Sequence, residues 1–276
     1  MSLPSRFVKM AGGGNDFLVF ESDGRLLTEE DRARLALVCR RGLSVGADGA
    51  LFLTRSEGGR VRVDYFNADG GPATFCANGT RCAARYAVKH GLSGGGEPEL
   101  ETGWGVVAAK VDGESVTLSL PAVAAPQDPV PISVRGLPPT AIPVKVGVPH
   151  LVVFVRGDLG NFAIDRYGPP LRHHPALSDG ANVNFVRAAG ANRILVRSYE
   201  RGVEGETLSC GSGVVASAIA ASRQGMAASP VTCGTKSGVD LVVEFKDEGE
   251  TITGVRLTGD GREIFGGELL PESWSA

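Results

Sequence analysis

Long apolar runs are missing from this 276-residue chain. Nowhere do eighteen uncharged apolar residues follow one another, which excludes a membrane-spanning helix and makes a membrane an unexpected partner. Basic blocks are missing as well. The 28 Lys and Arg against 31 Asp and Glu leave a formal net charge of −3, so no positive field exists to hold a phosphate backbone, and nucleic acid is excluded as a partner. The opening "MSLPSRFVKMAGGG" lacks the apolar core of a secretion signal, and the cytoplasm is the expected location. Cysteine is scarce and oddly placed. Cys39, Cys76, Cys82, Cys210 and Cys233 are odd in number and without CxxC spacing, which fits neither a disulfide framework nor a zinc ribbon. Reduced thiols and no metal are expected. Nucleotide loops are absent too: "AGGGND" (11–16) has no GxGxxG spacing after a strand, and "CGTKSG" (233–238) fails the Walker pattern.

Glycine, by contrast, is abundant, with 39 residues, about twice the usual share, which points to tight turns and close backbone approaches. Short β-branched and aromatic runs recur at 17–20, 50–53, 60–66, 105–111 and 115–120, then at 151–155, 183–186, 193–199, 241–245 and 251–257. Such spacing, broken by Gly and Asp, predicts antiparallel β structure. Helical patterns are fewer: "TEEDRARLALVCRR" (28–41), with Thr28 as N-cap, and the alanine-rich runs after Cys76 and Cys210. A Pro-rich segment at 120–132 marks the domain boundary, giving halves 1–121 and 122–263, with 264–276 returning to the first.

The two halves repeat each other. Shifted by 134 residues, "NDFLVF" (15–20) falls on "PHLVVF" (149–154), "SVGADG" (44–49) on "SDGANV" (178–183), and Cys76 on Cys210. Tyr65 and Tyr199 each stand eleven residues before that cysteine, where they are read as ending a strand. Three blocks in one register indicate an internal duplication, and two similar halves are expected to pack face to face.

Each repeated cysteine sits at a helix start, where unpaired N–H groups and the helix dipole favour an anion. That position stabilises a thiolate and also forms a carboxylate site. Gly79, Gly211 and Gly213 are expected to let a ligand approach the backbone. Two thiols across a shared cleft suit removal of a proton from one face of a carbon and its return to the other, which inverts a stereocentre. The substrate class this implies is a small amino acid, whose carboxylate takes up the developing charge. Cys39, Cys82 and Cys233 are read as buried and inert.

At these residues the sequence resembles the diaminopimelate epimerases. The likeness runs through "FVKMAGGGNDF", "DYFNADGGPATFCANGTRCAARY", "GVPH", "ANVNFV" and "YERGVEGETLSCGSG". It implies two pseudo-symmetric α/β domains, each a β-barrel-like mixed sheet around a central helix, with the active site between them and no pyridoxal or other cofactor. By resemblance Cys76 and Cys210 are the acid/base thiols, with His150 and Glu200 as polar partners that help set their protonation. Asn15, Asn67, Asn182 and Arg201 would hold the substrate, Arg201 on the distal carboxylate, while backbone groups of Ala77, Asn78, Gly211 and Ser212 would take the reacting carboxylate. The chain departs from the pattern at Val148, where an Asn is common, at Ala77, where Gly is usual, and in a run from Glu200 to Cys210 one residue longer than in many members. Histidine or proline racemization, and a non-catalytic amino-acid-binding or redox-switch protein, are the alternatives the residues leave open. A homodimer is compatible with the chain.

Overall fold

The computed structural model describes residues 3–275, which form two compact units. The first runs to Leu118 and takes up the chain again from Gly259; the second is Ser119–Thr258. Each is a mixed sheet carrying two α-helices.

In the first unit the strands lie side by side in the order Arg262–Glu268, Arg6–Gly12, Asn15–Glu21, Gly49–Arg55, Val61–Asn67, Glu99–Thr102 and Gly105–Asp112. Two neighbouring pairs are parallel, Asn15–Glu21 with Gly49–Arg55 and Val61–Asn67 with Glu99–Thr102. The purely antiparallel pattern expected from the spacing is therefore corrected. A helix bridges each parallel pair, α1 (Glu29–Val38) and α2 (Ala77–Lys89), since parallel neighbours need a crossover. The Thr28 hydroxyl accepts the Asp31 N–H at 3.1 Å while the Asp31 carboxylate accepts the Thr28 N–H, a reciprocal cap that fixes where α1 starts.

The second unit repeats the plan 134 residues on. Thr140–Val146 stands 134 residues after Arg6–Gly12, and α4 (Gly211–Arg223) 134 after α2. Phe17 pairs with Gly49 and Leu151 with Val183, the same register. These strands and the next sit only 133 residues after their counterparts: Met10 is opposite Phe17 but Val144 opposite His150, and Leu51 faces Tyr65 as Asn184 faces Ser198. The shift of one comes from a hairpin turn one residue shorter, and it places His150, not Leu151, on the face that Phe17 occupies. The strands run past Tyr65 and Tyr199, to Asn67 and Glu200.

Helices α2 and α4 are the centres of their units. Ten residues of each are buried, and the contacts of α4 run through successive strands from Thr140–Val146 round to Asp240–Asp247. A helix buried on all sides has to be narrow, which the alanines and glycines provide. The opposite sheet face of the second unit buries Leu151, Val153, Val183 and Phe185 with α3 (Ile164–Arg172). Leu18, Phe20, Ala50 and Phe52 do the same with α1 in the first. Strand alternation thus sends odd-numbered residues of 150–154 to one helix and even-numbered ones to the other.

Candidate active site

In the first unit Cys76 is the N-cap residue of α2, with extended backbone (φ −139°, ψ 111°), and its side chain does not cap the helix. The Thr80 N–H and hydroxyl both return to the Cys76 carbonyl, at 2.8 and 2.9 Å, and fix the turn that carries the sulfur. Behind this turn runs a chain of hydrogen bonds, buried at Arg81 and Asn78 and half-buried at Asn15 and Asp48. Arg81, fully buried, donates from Nη2 to Asn78 Oδ1 at 2.7 Å; Asn78 Nδ2 donates to Asn15 Oδ1 at 2.8 Å; Asn15 Nδ2 donates to Asp48 Oδ2 at 2.9 Å. A guanidinium can only donate, so each amide along the chain has its orientation dictated by the one before. Arg81 Nε also holds the Asp260 carbonyl at 3.1 Å, and the Asp260 carboxylate takes the Gly13 N–H at 2.7 Å. Gly13 has φ +61°, and a Cβ there would fall 2.7 Å from Asn78 Oδ1, so only glycine fits beside this network. Asn67 is exposed, and its backbone closes a turn with Gly70 and Gly71.

In the second unit Cys210 is the N-cap residue of α4 (φ −117°, ψ 107°), again without capping the helix through its side chain. Its sulfur lies 3.6 Å from the Ser212 hydroxyl. The sheet face toward α4 gathers polar residues at this end: His150 pairs in register with Asn182, and Asn184 with Ser198. Asn182 Oδ1 accepts the Arg201 N–H at 2.7 Å, which joins two of the expected substrate contacts. The Arg201 guanidinium reaches the Asp179 carbonyl at 3.3 Å, and the Glu200 carboxylate accepts the Thr207 hydroxyl.

His150 is fully buried, and burial together with the nearby Arg201 charge pushes its pKa down from 6.5 to about 3. Between those values the unfolded chain binds a proton at this ring that the folded unit refuses. Stability therefore rises with pH across that window. Replacing His150 by Gln is expected to flatten the slope there, read as the urea midpoint against pH.

None of the other three thiols opens a helix. Burial pushes Cys39 up to about 11 and Cys82 to about 12, and raises Cys233 as well. Burial alone makes them poor thiolates. For Gly79 and Gly213 the expectation is corrected. A Cβ at Gly79 would meet Leu51 and Phe17 at 3.2 and 3.4 Å, and one at Gly213 would meet Asn184 at 2.2 Å. These glycines admit protein, by close packing of helix on strand, rather than a ligand. Sequence reasoning missed Arg81, Asn184 and Ser198, although Asn184 stands two residues from Asn182 and so on the same face. An open cavity of about 750 Å³ near Pro4, Phe7, Glu21 and Tyr86 has none of the candidate residues in its lining. No three His, Cys, Asp or Glu side chains group as metal ligands among the described residues, and no helix among them is long and apolar enough to cross a membrane.

The fold recurs in solved structures of amino-acid racemases and phenazine-biosynthesis proteins. A probable proline racemase from Agrobacterium radiobacter superposes with a TM-score of 0.73 at 16% identity, covering 98% of this chain and 94% of that one. A phenazine biosynthesis protein of the PhzF family from Enterococcus faecalis gives 0.71 at 15%, covering 97% and 100%. The likeness defines the class by fold alone, a duplicated α/β plan that here has a thiol opening the central helix of each unit. The sequence narrows the class. The family model described as diaminopimelate epimerase matches residues 7–120 and 142–261. The diaminopimelate epimerase of Archaeoglobus fulgidus is 39% identical over 277 residues, 95% of each chain, and that of Gemmatimonas aurantiaca 36% over 283, covering 95% of this chain and 98% of its own. The protein belongs to the diaminopimelate epimerase family.

Proposed function

We propose that this protein interconverts LL- and meso-diaminopimelate by a two-base mechanism at Cα, using Cys76 and Cys210. The observation that carries the reading is the pair of N-cap cysteines, each opening the buried central helix of its unit at the same place in the repeat, in a chain of this family. One sulfur, as thiolate, takes the α-proton; the other, as thiol, returns a proton to the opposite face. The electron pair left at Cα spreads onto the carboxylate. Backbone N–H groups of Ala77, Asn78, Gly211 and Ser212, at helix starts whose N-cap cysteines make no side-chain cap, would meet that charge as it grows. Glu200 and His150 surround the second thiol's end of the sheet as polar partners. Asn15, Asn67 and Asn182 would position the substrate, with Arg201 on its distal carboxylate. We place the enzyme in the cytoplasm, where five cysteines in thiol form are at home.

Incubation in heavy water under reducing conditions, followed by NMR, tests this reading with LL-diaminopimelate beside single-centre amino acids. Deuterium at Cα and appearance of the meso form with diaminopimelate alone is the expected result. Exchange with proline or histidine instead would keep the thiols and reject the substrate. Arg201→Ala is expected to raise KM for diaminopimelate roughly 10- to 100-fold, the worth of a charged hydrogen bond, with kcat less affected. An unchanged KM would remove Arg201 from the distal carboxylate.

A further inference from the structure

His150 does not stand alone at the polar end of the second sheet. Its Nδ1 lies 3.2 Å from Asn184 Nδ2, and Asn184 Oδ1 accepts the Ser198 hydroxyl at 2.8 Å. All three side chains are buried, His150 and Asn184 completely. The register makes this a direct ladder: Asn184 is opposite Ser198 on one side, and its own strand is the parallel neighbour of the strand bearing His150 on the other.

The logic of donors and acceptors then runs one way. With its oxygen facing Ser198, the Asn184 amide turns its NH₂ toward the ring, and an NH₂ group can only donate. Nδ1 must therefore be the bare, accepting nitrogen, and the ring proton sits on Nε2. That Nε2 is buried and has no hydrogen-bond partner among the described residues. A lone buried N–H is costly unless something fills its need, and every other polar atom in this ladder is accounted for. The ladder is also held against α4. At Gly213 a Cβ would fall 2.2 Å from Asn184 Oδ1 and 3.2 Å from Cys210 Sγ, so the amide and the sulfur crowd the same missing side chain.

We infer that Asn184 and Ser198 are positioning residues that lock His150 as the Nε2–H tautomer, so that His150 serves the site next to Cys210 as a fixed hydrogen-bond donor rather than as a base. A donor of this kind suits an acceptor brought by the substrate, such as a carboxylate oxygen. Burial and the Arg201 charge keep the ring neutral, in agreement with that role. The bearing on turnover rests on the epimerase reading; the tautomer does not.

The first test needs no substrate and no variant. In ¹⁵N-labelled protein, the long-range proton–nitrogen pattern of His150, assigned by its loss in His150→Gln, is expected to show Nε2 protonated and Nδ1 bare, unchanged from pH 5.5 to 9. A proton on Nδ1, or an equal mixture, would overturn the inference. Asn184→Asp keeps the shape and the Ser198 contact but offers the ring an acceptor, so the proton is expected to move to Nδ1. With diaminopimelate, kcat should then fall at least tenfold while KM stays within about twofold. Ser198→Ala frees the amide to turn and should give a mixture of tautomers with a smaller loss of kcat. If Asn184→Asp leaves both the tautomer and kcat as they were, Asn184 is a packing residue only. Should diaminopimelate fail to exchange while the tautomer is found as stated, the substrate assignment falls and the ladder stands.

Discussion

Serine at position 76 is expected to leave the fold intact and to cut epimerisation by at least about 10³-fold, the upper range of what a positioned acid or base contributes. The two effects separate cleanly here because of where the residue sits. Cys76 is the N-cap of α2 in extended backbone, a place where serine is among the preferred residues and a hydroxyl can accept an N–H of the first turn. The variant should therefore melt at or slightly above the wild-type temperature. Its hydroxyl, however, ionises far above the thiol range and cannot serve as base near neutral pH. The same substitution at Cys210, N-cap of α4, should behave alike. Thermal unfolding beside the heavy-water exchange assay reads both quantities on one preparation. Full activity in either serine variant would end the two-base scheme, whereas a lowered melting point would assign that cysteine to packing.

Much of the plan was legible because duplication writes the same signal twice. Every apolar run read as a strand is one, α1 starts at its Thr28 cap, and both alanine-rich runs are helices. What escaped has identifiable causes. Helix α3 carries Pro169 and Pro170, which read locally as breakers, yet it is held by burial of Ile164 and Leu171 against the second sheet. Strand Thr140–Val146 is masked by Pro143, and Arg262–Glu268 is an exposed, glycine-containing strand with no alternating pattern. Parallel pairing was missed because a local run says nothing of its neighbour's direction. At the site, cysteines and glycines announce themselves by position in a repeat, but Arg81, Asn184 and Ser198 act through partners distant in sequence. Arg81 reaches Asp260, 179 residues away. The repeat itself also misleads here: the position equivalent to Arg81 in the second half is Val215, and the strand pairings make Phe17 the equivalent of His150 in the first. The halves share a scaffold and diverge in the polar groups set upon it.

Arg81 carries the second large effect. Replacement by Met is expected to destabilise the first unit by about 3 kcal/mol, from loss of the Arg81 donors to Asn78 and the Asp260 carbonyl at roughly 1–3 kcal/mol each, offset in part by relief of the buried charge. For a unit of this size that corresponds to a fall of about 10 °C in melting temperature. The guanidinium is fully buried, and desolvation draws its pKa down against the pull of the Asp260 carboxylate. Such a residue is tolerable only because its donors are used: Nη2 on Asn78 and Nε on the Asp260 carbonyl. Without it Asn78 Oδ1 loses the donor that sets its orientation. Asn15, the next amide along, loses its reason to face Asp48. The substrate contacts proposed at Asn15 and Asn78 should then suffer in KM as well as in stability. Arg81→Lys supplies the charge without the planar fork and cannot serve both acceptors at once, so it should fall between wild type and Met in both readouts. A Lys variant equal to wild type would mean that charge alone is required there. A Met variant equal to wild type would mean that Asn78 and Asn15 hold their orientation without Arg81, and that the order of this site is set from the Asp48 end.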